Sequence, residues 1–299
     1  GRLAPTGAPG RSHGGGVVSA GAGVATGPIP NAAPALRAPG PRPLPVDRFE
    51  PVTLGELVGE AELLTRVDRK YLLPAELAAE AMAVLDPRSR ALQIGGLRAF
   101  GYESVYFDTP DRLAYRLTAQ KRRHRFKLRT RRYVDTGGCF LEVKTKDGRG
   151  TTVKQRIGYE PVNLTRLTRA GRVYAGAVLG EHGHDAAIVD LLGPSMTSRY
   201  RRATLLLPCG SRATFDTELR WSGPDGREVD LPGYAIVESK SAGRASALDR
   251  ALWRAGRRPT GISKFGTGTA ALHPELPSNK WARVLRGPFQ TEIRNGETP

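Results

Sequence analysis

Charged side chains recur at every second position along a series of short segments of this chain. Side chains alternate across an extended strand, so positions two apart share a face. Arg66, Asp68 and Lys70 share one face; Arg125, Lys127, Arg129 and Arg131 share another, opposite Phe126 and Leu128. Glu142 and Lys144 lie opposite Leu141 and Val143, Lys154 and Arg156 opposite Val153 and Ile157, and Glu238 and Lys240 opposite Val237. Tyr200 pairs with Arg202 in the same way, and Arg212 with Thr214 and Asp216. An open sheet with one wet face also carries charge runs. Such a face mixes Ser, Thr, Gln and Lys, whereas here arginine dominates and carboxylates sit at set places. The guanidinium fork matches phosphate oxygens in shape and charge. Four cations on one strand face repel one another, a cost that a polyanion or interleaved carboxylates offset. A closed barrel with the charged face inward supplies both, and its low-dielectric lumen strengthens each contact.

The elements that must hold these side chains are read from periodicity. Period-two segments are Thr65–Leu72, Gly101–Phe107, Arg125–Tyr133, Cys139–Lys146, Thr151–Tyr159, Ser198–Pro208, Arg212–Leu219 and Tyr234–Lys240. That makes about eight strands, interrupted by a helical stretch from Asn163 to Gly193. The turn chemistry of 135–138 and 146–150 implies two successive hairpins, hence antiparallel pairing. Helices are expected at Thr53–Leu64, with Thr53 and Glu56 as a capping box, at Pro74–Leu85, with Leu77, Ala81 and Leu85 in one stripe, and at Ala245–Ala255. The fold class this predicts is α+β: a closed eight-stranded antiparallel barrel with flanking helices. Leu141-Glu142-Val143-Lys144 echoes Val237-Glu238-Ser239-Lys240, either as two similar halves or by coincidence.

The chain has 299 residues and a net charge of +17, which points to a polyanionic partner. Residues 1–45 hold 10 Gly, 9 Pro and 9 Ala, too little apolar surface to offset the entropy of ordering. The expected division is a disordered tail at 1–46, a folded domain at 47–273 and a loosely structured extension at 274–299. No apolar run approaches the roughly 18 residues of a membrane-spanning helix. Cys139 and Cys209 sit in strand-like contexts and read as small buried thiols, which suits a reducing, cytoplasmic setting. His124, His182, His184 and His273 are scattered and read as surface or loop residues. Aromatics are 7% of the chain and do not interleave with the basic strands, which argues against specific nucleic-acid binding.

Seven short motifs occur in order: Thr65 to Tyr71, Ser104 to Thr109, Lys127 to Tyr133, Phe140 to Lys144, Lys154 to Arg156, Arg212 to Asp216, and Ser263-Lys264-Phe265. The series resembles the VTC domain, the catalytic module of the vacuolar transporter chaperone and its bacterial relatives, over roughly residues 48–272. The resemblance implies a triphosphate-tunnel fold and transfer of the terminal phosphate of ATP onto polyphosphate, with Mn²⁺ or Mg²⁺. It implies phosphate ligands at Lys70, Arg129, Arg131, Lys144, Lys154, Arg202, Arg212 and Lys264, with Arg129, Arg131, Lys144 and Lys154 as the catalytic set. Glu238 would hold the metal, with Glu142 and Asp216 as weaker candidates. The wider superfamily, of triphosphatases and adenylate cyclases, carries Glu-x-Glu-x-Lys near its start, where this chain reads Arg66-x-Asp68-x-Lys70. One metal carboxylate is thereby replaced by a cation, which counts against a two-metal hydrolase. The partners implied are ATP or polyphosphate. Eukaryotic relatives sit beside membrane helices, so a separate membrane protein is a further expected partner. The rival readings are a triphosphatase with water as acceptor and a binding module without turnover.

Overall fold

The computed structural model describes residues 43–60, 67–146, 152–291 and 293–294. The expected tail, but for its last four residues, lies outside them, as do Arg66 and most of the 146–150 turn. The chain forms β1 (Glu50–Val52), α1 (Leu54–Glu60), β2 (Val67–Pro74), α2 (Ala75–Ala83), β3 (Arg90–Leu92) and β4 (Ala99–Asp108). It continues through α3 (Leu113–Ala119), β5 (Arg125–Tyr133), β6 (Cys139–Lys146), β7 (Thr152–Gly158), α4 (Arg169–Glu181), β8 (Gly193–Leu206) and β9 (Arg212–Ser222). It ends in β10 (Glu228–Leu231), β11 (Tyr234–Ser241), α5 (Ala247–Arg254), α6 (Lys264–Leu272), α7 (Ala282–Leu285) and β12 (Ile293–Arg294).

All eight expected strands form, and β5 and β6 have the expected ends. They pair antiparallel in the order β2-β11-β9-β8-β4-β5-β6-β7. β10 and β12 extend the far half of β9, and β3 and β1 extend β8. These four are two to four residues long, too short for a period to show. Among the described residues no ladder joins β7 to β2, so hydrogen bonds do not close the sheet into the expected barrel. β7 is instead an edge whose residues alternate between exposed and half-buried.

The apolar strand faces point away from the charged ones and are covered by helices. Phe126, Leu128, Leu141 and Val143 pack in one cluster with residues of α3, α4 and α6. Tyr71, Phe215 and Val237 pack in another with α2 and α5. Ala81 and Leu85 of the expected stripe are buried there with Ala78 and Met82, while Leu77 is only half-buried. Local sequence starts the helices. Thr53 and Glu56 form the expected capping box, and Ser246 and Asp249 form a second at α5. Asp108 accepts from the amides of Thr109, Ala114 and Tyr115 and so holds the first turn of α3.

Three expectations are corrected. The expected extension is anchored to the domain, with Trp281 and Phe289 buried against Tyr115 and Trp221. Cys209 is exposed in the β8–β9 turn, and only Cys139 is buried. His273 is buried between Arg112 at 2.8 Å and Arg227 at 3.2 Å, because α6 ends against both. No helix among the described residues is long and apolar enough to cross a membrane.

Candidate functional site

The charged faces converge on one cavity of about 290 Å³. Lys70 and Asp68 enter from β2, Lys127, Arg129 and Arg131 from β5, and Glu142 and Lys144 from β6. Lys154 comes from β7, Tyr200 and Arg202 from β8, and Glu238 and Lys240 from β11. Register explains this convergence. Arg129 is opposite Glu142, Lys127 opposite Lys144, Lys144 opposite Lys154, and Lys70 opposite Glu238. Each pair projects to the same side of the sheet, and the sheet's twist curls that side inward.

Lys264 arrives by a different route. It opens α6, whose N-cap is Ser263, and its ammonium pairs with Asp216. Glycine makes that position reachable. A Cβ at Gly268 would lie 2.3 Å from Cδ1 of Trp221, and one at Gly266 would lie 2.2 Å from Cζ2 of Trp281. Only a helix without those carbons can lie this close to both indoles.

Nine cations and three carboxylates line the cavity. Arg129 donates from Nε to Glu142 at 2.6 Å, Lys154 lies 2.5 Å from the same carboxylate, and Arg131 lies 3.9 Å away. Burial alone would raise the Glu142 carboxyl, but the three cations hold it well below the usual carboxylate range. Asp216, just behind the wall, takes both arms of Arg202 at 2.6 and 2.8 Å and is likewise held low against its burial. Lys240 bridges Glu238 and Asp68, the latter at 3.1 Å, and Lys70 lies 3.7 Å from Glu238. Against its burial, Lys70 and Lys240 bring the Glu238 carboxyl down to about 2. Lys127 and Lys144 meet no carboxylate at ion-pair distance among the described residues. Burial and then Lys70 push the Lys144 ammonium down to about 8, and burial with Lys70 and Lys144 pushes Lys127 well down.

Seven of the eight expected phosphate ligands therefore meet in one cavity. Arg212 does not line it and donates instead to the Leu57 carbonyl at 2.9 Å. The sheet's tilt carries its end of β9 toward α1. Arg156 also lies outside and stacks on the Phe140 ring at 4.5 Å. Sequence reasoning did not count Lys127, Lys240 or Tyr200 as ligands, although it placed each on a charged face. The Tyr200 hydroxyl is buried and has no hydrogen-bond partner among the described residues, and the Lys264 Nζ lies over the ring, 4.1 Å from its centroid. Burial would raise this phenol, but Arg131, Arg202 and Lys264 bring it below the usual tyrosine value. It is poised to donate to an anion.

The carboxylates differ in fitness for a metal. No group of three or more metal-type side chains occurs among the described residues. Glu142 and Asp216 are each clasped by cations on both oxygens or by three partners. Glu238 and Asp68 face one point, the position of the Lys240 ammonium. Mg²⁺ and Mn²⁺ sites that act on phosphates commonly use one or two carboxylates and take the remaining ligands from phosphate and water. Glu238 with Asp68 fits that pattern.

The family model described as the VTC domain matches residues 65–273. No curated protein sequence matches the chain. Among solved structures, a Hippeastrum protein described as a candidate adenylyl cyclase with a dominant triphosphatase activity is 18% identical. The match covers 72% of this chain and 99% of that one, with a TM-score of 0.42. A conserved hypothetical protein of Pyrococcus furiosus is 12% identical over 64% of this chain and 88% of its own, with a TM-score of 0.33. A candidate adenylate cyclase of Vibrio parahaemolyticus is 14% identical over 70% and 87%, with a TM-score of 0.32.

Proposed function

The chain belongs to the VTC domain family, and from that premise we propose that it is a triphosphate-tunnel protein and a metal-dependent phosphotransferase of the polyphosphate polymerase type. Its reaction moves the terminal phosphate of ATP onto a polyphosphate end, within a tunnel formed by the curled sheet. The observation that carries this reading is the excess of nine cations over three carboxylates around one cavity, with each carboxylate already matched. Only a ligand with several negative charges balances the remainder.

Phosphoryl transfer asks little covalent chemistry of a protein; it asks for in-line positioning and neutralised charge. Arg129, Arg131 and Arg202 present forks to phosphate oxygens, and their carboxylate partners hold them in place before the ligand arrives. Lys144 and Lys154 face each other across β6 and β7 and grip the chain from one side. Tyr200 donates its hydroxyl hydrogen from the opposite wall. Glu238 and Asp68 would hold a divalent ion, which would supply further neutralisation of phosphate charge. No serine, cysteine or histidine nucleophile is needed.

The test is to incubate the purified protein with ATP and Mn²⁺ and to measure long-chain polyphosphate, ADP and orthophosphate. Polymer with ADP is expected. Orthophosphate without polymer would replace the reading with a triphosphatase, and neither product would replace it with a binding module. Glu238→Gln is expected to keep tripolyphosphate binding and to lose turnover; full rate in that variant would overturn the metal assignment.

A further inference from the structure

The charged row on β5 and β6 does not stop at the cavity. Lys127 and Lys144 are register partners on its wall, and Arg125 and Lys146 are the next pair on the same faces. They lie about 7 Å further along strands that rise roughly 3.3 Å per residue. Lys280, in the short helix Asn279–Trp281, donates from Nζ to the Thr118 carbonyl at 2.8 Å. That bond sets it beside the end of α3, where the chain reads Lys121-Arg122-Arg123-His124 with all four side chains exposed. Burial first, then Arg125, Lys121 and Lys146, push the Lys280 ammonium down, which places the four charges in one neighbourhood. Lys280 is itself among the charges that act on Lys127 inside the cavity. None of these surface cations has a carboxylate partner among the described residues. The cavity wall, by contrast, matches Arg129, Arg202, Lys154, Lys240 and Lys264 with acids.

We infer that Lys121, Arg122, Arg123, Arg125, Lys146 and Lys280 form an anion track continuous with the cavity, holding the part of a linear polyphosphate chain that extends beyond it. The inference rests on the tunnel reading above. A nucleotide triphosphate is too short to use such a track, so the track serves the polymer. Unmatched like charges in a row are tolerated when a flexible polyanion lies along them, and they focus its approach from solution. Single-stranded nucleic acid fits less well. Phe126 and Trp281 are each 1% exposed and leave His124 as the exposed ring of this region among the described residues, a poorer stacking platform than a Phe, Tyr or Trp face. Retention of this outer part of the chain keeps the product bound, with its growing end in the cavity, between successive additions.

The test compares the wild-type chain with K121S/R122S/R123S, and with Lys280→Gln as an independent variant. None of these residues lines the cavity. Titration calorimetry reads the affinity for tripolyphosphate, for a long polyphosphate of several dozen units and for single-stranded DNA of the same charge. Thermal melts confirm folding. The wild type should bind the long chain more tightly than tripolyphosphate. The triple variant should lose roughly tenfold on the long chain, as expected for three exposed ionic contacts, with a shallower salt dependence and an unchanged tripolyphosphate affinity. Lys280→Gln should lose a smaller factor on the long chain, and a larger one there than on tripolyphosphate. Long-chain affinity unchanged in both variants would overturn the track while leaving the tunnel reading intact. DNA bound as tightly as polyphosphate, and weakened equally by the substitutions, would assign the surface to nucleic acid. A wild type that does not bind tripolyphosphate would sink the tunnel reading itself.

Discussion

Replacing Glu142 by glutamine should weaken the free protein and tighten its grip on a triphosphate, and both effects follow from one lost charge. The carboxylate is 2% exposed and is met by Arg129 at 2.6 Å, Lys154 at 2.5 Å and Arg131 at 3.9 Å. Removing one member of a buried ionic cluster costs about 3–5 kcal/mol, because the cations left behind repel and lie desolvated. Glutamine keeps the shape and one acceptor, so the lower end, about 3 kcal/mol, applies. In a domain of this size each kcal/mol moves the melting temperature by about 2–4 °C, giving a fall of about 6–12 °C. The ligand sees the opposite sign. A phosphate oxygen bridging Arg129 and Lys154 would lie roughly 6 Å from the carboxylate, and at an effective dielectric of about 20 that repulsion is about 3 kcal/mol. Tripolyphosphate affinity should therefore rise about a hundredfold, and saturating ligand should bring the variant's melting point back toward that of the liganded wild type. Acid adds a check. The folded carboxyl lies below its ordinary 4.5, so its contribution is full above that value and is lost as pH falls through the folded one. The two melting curves should converge at low pH. The assays are thermal melts with and without tripolyphosphate and titration calorimetry. A variant that melts like the wild type, or binds tripolyphosphate no better, would refute the reasoning.

Arg131→Ala should reduce tripolyphosphate affinity at least tenfold, whereas Arg212→Ala should leave it within a factor of two, as read by calorimetry; equal losses would show that Arg212 reaches the ligand. Metal-free tripolyphosphate affinity should fall as pH rises from 7 to 9, because Lys144 loses its proton at about 8 and Lys127 below its ordinary range, and the charged forms bind. Binding should then take up protons, seen as heats that differ between buffers of different ionisation enthalpy; a flat pH profile would contradict this. Gly268→Ala should cost about 1–3 kcal/mol through overpacking against Trp221. It should also weaken triphosphate binding by displacing Lys264, a pairing that a melt and a titration together can check.

Much of the wall was legible before any coordinates. β5 and β6 follow the period-two pattern to their ends, and alternation alone marks the charged face of every strand that sends a charge into the cavity. Thr53 with Glu56 was legible for the same reason, since a capping box spans three residues. What stayed hidden involved distant partners. Cys209 and Cys139 look alike in sequence, yet one lies in a turn and the other under the sheet. His273 resembles any loop histidine until Arg112 and Arg227, 161 and 46 positions away, close on it. Trp281 sits in a polar stretch whose burial depends on Tyr115 and α6.

By itself the sequence determined the eight main strands, their charged faces and the cap of α1, because alternation and capping are properties of neighbouring residues. Tertiary structure alone decided which of those residues act together. Twist and tilt bring Lys70, Arg129, Arg202 and Glu238 to one cavity and carry Arg212 away from it. Two glycines let α6 press against Trp221 and Trp281 and deliver Lys264. Register joins Glu142 to three cations and leaves Lys127 and Lys144 without an acid at ion-pair distance among the described residues. A residue's face follows from its own backbone, but its partners follow from how distant segments pack, and a site is made of partners.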